Sequence, residues 1–421
     1  MKDSNFFKNI VAVLLLQGGN YIIPLLSFPY LTRTLGVENY GIYGLAMTMS
    51  QYLMLFVDFG FGLSSSRNIA INRNKKEVIG QVIVNTITIK ALVSISLVII
   101  VVVLCAMFNN IYSKIALILM LQCMSAIFNF NWLYQGLEKV RVFVWLTLIS
   151  KTVSLCLIFL CVRGSEDFLL AIFVQSLSIF LLAILSLFHL VVMMKGLGIK
   201  LSLPKMDGLK ITFHETKHYF IANVAISMYT ASTPIILSVF SNNSSVGIFA
   251  SSDRIKSAIL GFFMVLSGVL YPKLNYLFEK NKPKAYSLFK KVYLTETILT
   301  FIISVSLYFL SKEICIYIMG DEFHDGYKVL QMLSIVLFLS MQSVMMSNYL
   351  LLPLGYRNLY SKLPMFISVL HVFLSAFSVK YYGVLGAAYS IVFLELFVCV
   401  IYIIYIYKKG IFSNLINSSL K

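Results

Sequence analysis

Eight charged residues sit where an apolar helix should have none. Lys90, Lys151, Arg254 and Lys256 lie well inside long hydrophobic stretches, and so do Asp58, Asp253, Glu296 and Glu395. A charge near the centre of a bilayer costs about 2.5–3.5 kcal/mol on insertion scales, so such groups face a wet cavity or a partner. Lys90 shares a stripe with Thr86 and Ser94, and Lys151 shares one with Thr147 and Ser154. Gln122, Ser125 and Asn129 make a similar face on a third helix. These faces read as cavity walls. A plainer account stands beside that one. Asp253 and Lys256 are i, i+3 and can pair on one helix. Lys90 and Glu296 occupy nearly equivalent places in the third and ninth apolar stretches and can neutralise each other.

A second constellation is His214-Glu215-Thr216-Lys217-His218, which fits H-E-x-x-H. On a helix its two imidazoles share a face and can hold zinc, with the glutamate as general base. A protease acting within the membrane needs that motif inside a span and a third ligand on the same side. Here it stands where a span begins. Asp207-Gly208 is only a few residues away, and Asp325-Gly326 falls on the opposite side of the membrane in the topology below. Interfacial residues are the expected role.

The elements that must position these groups are membrane helices. Of the 421 residues, 59% are hydrophobic and 12% charged, well beyond the roughly half-apolar composition of soluble domains. A span needs about 20 mostly apolar residues. Such stretches fall near 9–33, 40–66, 79–107, 113–135, 142–162, 168–194, 218–240, 246–272, 287–310, 326–352, 359–379 and 384–407. The net charge of +17 does not indicate nucleic acid, because the cations alternate by loop. Loop 67–78 holds Arg67, Arg73, Lys75 and Lys76, and loop 195–217 holds Lys195, Lys200, Lys205, Lys210 and Lys217. Loop 273–291 holds six lysines, whereas the intervening loops carry about one cation each, such as Arg33, Lys114 and Arg163. Cytoplasmic loops carry the Lys/Arg excess, so both termini are expected in the cytoplasm. The basic, then apolar, opening is read as an uncleaved first span rather than a signal peptide, because no small-residue cleavage site follows. The six cysteines show no metal or redox spacing and read as small hydrophobes.

The expected fold is an all-α polytopic membrane protein of 12 transmembrane helices in two six-helix halves around a central cavity. The halves are residues 1–194 and 218–421, joined by a cytoplasmic linker at 195–217. Three weak internal matches support duplication. Tyr40-Gly41-Ile42-Tyr43-Gly44 parallels Val246-Gly247-Ile248-Phe249-Ala250, Arg67 parallels Lys273, and Asn131-Trp132-Leu133-Tyr134 parallels Asn348-Tyr349-Leu350-Leu351. Parallel repeats pack about an axis along the membrane normal, with the site between them. Pro24 and Pro29 in the first span and Pro234 in the seventh are expected to bend the first helix of each half.

Arg33-Thr34-Leu35-Gly36, Asn39-Tyr40-Gly41-Ile42-Tyr43, Asp58-Phe59-Gly60 with Arg67, and Asn131-Trp132-Leu133-Tyr134-Gln135-Gly136-Leu137-Glu138 together resemble the polysaccharide flippases. The chain resembles the Wzx-type O-antigen flippases of the multidrug/oligosaccharidyl-lipid/polysaccharide exporter superfamily, with motifs concentrated in residues 30–140. The resemblance implies a bacterial inner-membrane protein that is not an enzyme. It would move an oligosaccharide on undecaprenyl diphosphate from the cytoplasmic to the periplasmic leaflet by alternating access. A cationic cavity replaces the hydration of a diphosphate, Lys as a point charge and Arg as a bidentate partner. The candidate diphosphate and glycan residues are Lys90, Lys151, Arg254, Lys256, Arg33, Gln17, Asn20, Asn85 and Asn129. Asp58, Glu296 and Glu395 are candidate proton or sodium sites. No cofactor, metal or nucleic acid is expected. Partners are membrane lipids, the lipid-linked oligosaccharide and the polymerase and chain-length proteins of the same pathway. The alternatives are a multidrug exporter of the same superfamily, against which the cation surplus argues, and a membrane polysaccharide polymerase, which needs a larger outer loop than 311–325. No G-x-x-x-x-G-K loop is present for direct use of ATP.

Overall fold

The computed structural model describes residues Asp3–Phe412 other than 109, with side chains described from residue 18 onward except at 20, 21, 109, 269 and 357. Fourteen α-helices follow one another: α1 Asp3–Asp58, α2 Phe61–Ile71, α3 Lys76–Met107, α4 Ile111–Ser125, α5 Asn131–Gly136, α6 Val140–Cys161 and α7 Phe168–Leu197, then α8 Met206–Ala231, α9 Thr233–Phe240, α10 Asn243–Lys280, α11 Lys282–Phe309, α12 Ser311–Ile314, α13 Tyr327–Val344 and α14 Arg357–Lys408. No strand occurs among the described residues. A lipid-exposed backbone leaves little choice, because only a helix or a closed barrel satisfies its own peptide groups in hydrocarbon. On α3 the residues Leu92, Ile95, Ile99 and Val103 lie bare on the outer surface, as a lipid-facing stripe requires.

Among the described residues nine helical runs are long and apolar enough to cross a membrane, and α8 with α9, bent by 56° at their junction, makes a tenth. Two of the ten are about twice the length of one crossing, Ile22–Ile71 with 50 residues and Asn358–Lys408 with 51. Each contains a glycine in a left-handed conformation, Gly36 at φ 72° and Gly383 at φ 56°. There the backbone leaves the helix. Side chains with a Cβ rarely adopt that conformation, and each long run is two helices joined at its glycine. Counted so, the described residues give twelve crossings, as the apolar stretches implied.

The compact units divide inside helices rather than in the 195–217 stretch. One unit is Ile42–Ser227, and the other joins Met1–Gly41 to Met228–Lys421. In the first, Trp132, Tyr134 and Phe130 anchor a core with Ile69, Ile83 and Leu190, and Leu119, Met120 and Ile172 anchor another. In the second, Phe263, Leu274, Phe278 and Phe289 pack with Met341, Met345, Tyr349 and Leu394. The stretch 195–217 is itself half helical, since α8 starts at Met206 with Asp207 in its first turn. Apolar counting finds where a chain enters hydrocarbon. It does not find where a helix begins outside it.

Candidate functional site

In the unit Ile42–Ser227 the Lys90 face is a packed seam. Lys90 Nζ lies 2.9 Å from Asp58 Oδ1, and its side chain is 1% exposed. Thr86 bonds the Ser65 hydroxyl at 2.9 Å. Ser94 donates to the Cys123 carbonyl at 3.0 Å. The expected cavity wall is therefore a set of cross-helix hydrogen bonds, the usual work of small polar residues between membrane helices. The partner of Lys90 within its own unit is Asp58. Asp58 and Lys90 are thereby each other's counter-charge. The third polar face is also enclosed. Gln122 accepts from Ser50 and donates to Ser176 at 2.8 Å. Ser125 donates to the Leu121 carbonyl at 2.6 Å.

The neutral candidates divide similarly. Asn85 is buried, donating to Thr212 at 3.2 Å and accepting from Gln81 at 2.9 Å. Asn129 is half-buried, and its side-chain oxygen accepts the Asn131 amide at 3.2 Å, a local turn bond. Lys151 is half-buried on α6. Gln17 and Asn20 lie outside the described side chains.

In the other unit the charges of α10 part company. Lys256 pairs with Asp253 one turn earlier on the helix, which also accepts from Ser257 at 3.1 Å. Arg254 is exposed. It makes no ion pair among the described residues, unlike Lys90 and Lys256. Arg33 is not in the hydrophobic interior. At the end of the first crossing it donates to the Tyr317 carbonyl and lines a cavity of about 510 Å³ with Gly320, Asp321 and Glu322. Glu322 accepts the Val37 amide at 2.9 Å. Arg33 therefore fastens the 311–326 segment to that corner.

The two remaining acids are deeply enclosed. Glu395, 7% exposed, accepts from the Tyr229 hydroxyl. Glu296, 5% exposed, accepts from the Tyr349 hydroxyl at 3.4 Å, while its second oxygen is buried without a partner. Nearby, Thr297 donates to Gln342 at 3.2 Å, and the Gln342 amide nitrogen is likewise unpartnered. His371 is buried and meets Thr233 at 3.2 Å, its other ring nitrogen unpartnered. The Glu296 oxygen and the Gln342 nitrogen are thus orphaned polar atoms on the neighbouring helices α11 and α13. Tyr229, Gln342, Tyr349 and His371 were not singled out from sequence. A lone histidine or glutamine within an apolar run is a usable signal. Tyrosine is not, because 25 occur in this chain.

The H-E-x-x-H motif lies near the start of α8, with the two imidazole rings 6.2 Å apart and edge-on. No group of three or more His, Cys, Asp or Glu able to hold a metal occurs among the described residues.

Known proteins give the chain relatives over nearly its whole length. It is 28% identical over 404 residues to the "Putative O-antigen transporter" of Escherichia coli (strain K12), covering 92% of this chain and 93% of that one. It is 27% identical over 395 residues to the protein of the same name in Shigella dysenteriae, covering 93% and 97%. Among solved structures, an inward-facing multidrug resistance MATE family transporter of the MOP superfamily superposes with a TM-score of 0.71 at 15% identity, covering 97% of this chain and 96% of that one. Its outward-facing counterpart gives 0.65 at 14% identity, over 97% and 96%. At such identities the likeness concerns the fold alone, a multi-pass helical architecture. The polysaccharide biosynthesis protein family matches residues 6–278, and the chain belongs to that family.

Proposed function

We propose that the protein is a flippase for an oligosaccharide carried on undecaprenyl diphosphate, moving it from the cytoplasmic to the periplasmic leaflet. The observation that carries this reading is the end-to-end similarity to proteins named as O-antigen transporters. The charge pattern agrees with it. The Lys/Arg-rich loops put that side in the cytoplasm, with both termini there, and the bacterial inner membrane is where such a lipid is made available. Arg254, exposed and making no ion pair among the described residues, and Lys151 are the cations we assign to the diphosphate. A guanidinium fork suits two phosphate oxygens at once. Lys90 is not assigned, because Asp58 already neutralises it.

Alternating access is the mechanism we assign, with two six-helix halves rocking about one site. The break between α8 and α9, with Pro234 in the first turn of α9, is the hinge in the seventh crossing. Proline removes a backbone donor there and a bend follows at low cost. A ligand shifts such an equilibrium only by its differential affinity for the two states. Net movement then draws on an ion gradient, the membrane potential or removal of product. Glu296 and Glu395 are the acids we assign to coupling.

The test is a sidedness assay in proteoliposomes. An impermeant glycosidase reports exposure of the glycan of a diphosphate-linked lipid. Wild type should expose it, and Arg254→Ala should lower the rate about tenfold or more, the value of one charge-assisted contact. Lys151→Ala should act in the same direction. No protein-dependent exposure from a folded, monodisperse sample over several glycans would overturn the reading.

A further inference from the structure

Within the unit Ile42–Ser227, α2 and the first half of α8 face each other across side-chain contacts and a cavity. Two devices hold them together. The Phe59 ring stacks on Phe213 and Phe220 with centroids at 4.9 and 4.5 Å. The Ser64 and Thr216 hydroxyls meet at 2.9 Å. Beside that contact lies a cavity of about 500 Å³ lined by Ser64, Arg67, Asn68 and Ile71 of α2 and by Glu215, His218 and Tyr219 of α8. Both sets are helical stripes, i, i+3, i+4, i+7 on one side and i, i+3, i+4 on the other. The chemistry is therefore presented by two rigid elements rather than a loop.

Asn68 Oδ1 accepts from the Asn72 side chain at 3.0 Å, which leaves its amide nitrogen to donate. Neither Arg67 nor Glu215 makes an ion pair or side-chain hydrogen bond among the described residues, and His218 meets only the edge of His214. The volume lies in the range of small-molecule pockets, about 300–1,000 Å³. The stripe ends at Ile71, which is 70% exposed, next to the loop of Arg73, Lys75 and Lys76. That is the headgroup level of the Lys/Arg-rich side. The H-E-x-x-H motif thus contributes Glu215 and His218 to a cleft whose third charged group is Arg67.

We propose that this cleft is a docking subsite for a sugar–diphosphate headgroup at the Lys/Arg-rich face of the membrane. The inference rests on the flippase reading and adds the place where the headgroup is first held. Arg67 takes phosphate oxygens through its fork, and His218 and Asn68 donate beside it. Glu215 is informative because a carboxylate repels a bare phosphate. Its place among donors fits a ligand that also presents hydroxyls, which it accepts while the Tyr219 ring covers a sugar face. The prenyl chain leaves past Ile71 into lipid. A bare anionic phospholipid would satisfy Arg67 and gain nothing from Glu215.

The experiment measures binding to the purified full-length protein in nanodiscs. The probes are a short-chain prenyl diphosphate carrying N-acetylglucosamine, the same lipid without sugar, and phosphatidylglycerol as competitor. The glycosylated probe also carries a photoreactive group on its prenyl chain. Arg67→Gln should weaken the glycosylated probe about tenfold or more, and His218→Gln should weaken it by less. Lys75→Gln, a control for general surface charge, should leave it unchanged. Glu215→Gln should weaken the glycosylated probe and strengthen the bare diphosphate, a crossover that general destabilisation cannot give. The photolabel should attach to α2 or α8. Unchanged affinity in Arg67→Gln, equal competition by phosphatidylglycerol, or labelling of other helices would overturn the subsite. If translocation persists in those cases, the flippase reading survives alone. If the wild type neither binds nor translocates the probe, both fall together.

Discussion

Lys90 shows what a charge inside a membrane helix signifies. Its position predicts a substrate contact, but its surroundings give a structural one, an ion pair with Asp58 at 2.9 Å. The two roles separate cleanly by mutation. Asp58→Asn should destabilise the protein by about 3 kcal/mol, because it leaves the enclosed lysine charge unpaired. The double change Lys90→Met with Asp58→Asn should recover most of the thermal unfolding midpoint in detergent and the translocation rate with it. A lysine that gripped substrate would leave the double variant folded and inactive. The Asp253–Lys256 pair was legible in the sequence because its partners are one turn apart. Asp58 and Lys90 are 32 residues apart on different helices, and no helical periodicity links them. Arg254 is a candidate, with Lys90 and Lys151, for its place inside an apolar stretch, and among the described residues it makes no ion pair, unlike Lys256 on the same helix.

At the level of elements, the apolar pattern located every crossing, because hydropathy and helix length answer to the same bilayer thickness. It did not locate the ends. α8 runs twelve residues earlier than its apolar stretch, to Met206, where a helix outside hydrocarbon has no hydropathy signal. The expected bend of the seventh stretch falls beside Pro234, between α8 and α9, whereas α1 runs through Pro24 and Pro29 and leaves the helix at Gly36. The weak internal repeat has a packing meaning that sequence comparison could not supply. A Cβ on Gly41 would lie 1.9 Å from the Asn243 carbonyl oxygen, and one on Gly247 would lie 2.0 Å from that of Val37. The matched glycines thus cross each other reciprocally, each making room for the other's backbone. Neither obstacle is a flexible side chain, so neither can yield cheaply. Gly41→Ala and Gly247→Ala should each cost about 1–3 kcal/mol. Because both open one contact, the double variant should lose less than the sum. Full additivity in thermal unfolding would show that the two crossings are independent.

For the whole molecule the open question is energy, and the charges frame it. A binding site alone drives nothing, since affinity that favours loading opposes release. Asp58 is committed to Lys90, which leaves Glu296 and Glu395 as the enclosed acids, both within residues 228–421. Glutamine at either position keeps the shape and the tyrosine contact and removes the ionisable group. If these acids couple an ion gradient to transport, Glu395→Gln and Glu296→Gln should lower gradient-driven net translocation about tenfold or more, equivalent to about 1.4 kcal/mol. Exchange without a gradient should stay near the wild-type rate, because loading and release are untouched. Proteoliposomes with a proton or sodium gradient imposed separately, at zero potential, give that comparison. The contrary result has a physical account of its own. A diphosphate moving outward across an inside-negative membrane gains roughly 4–5 kcal/mol per 100 mV for two charges. Retained gradient-free transport that rises with imposed potential in both variants would therefore make the substrate's own charge the energy carrier, and the two acids a part of the packing.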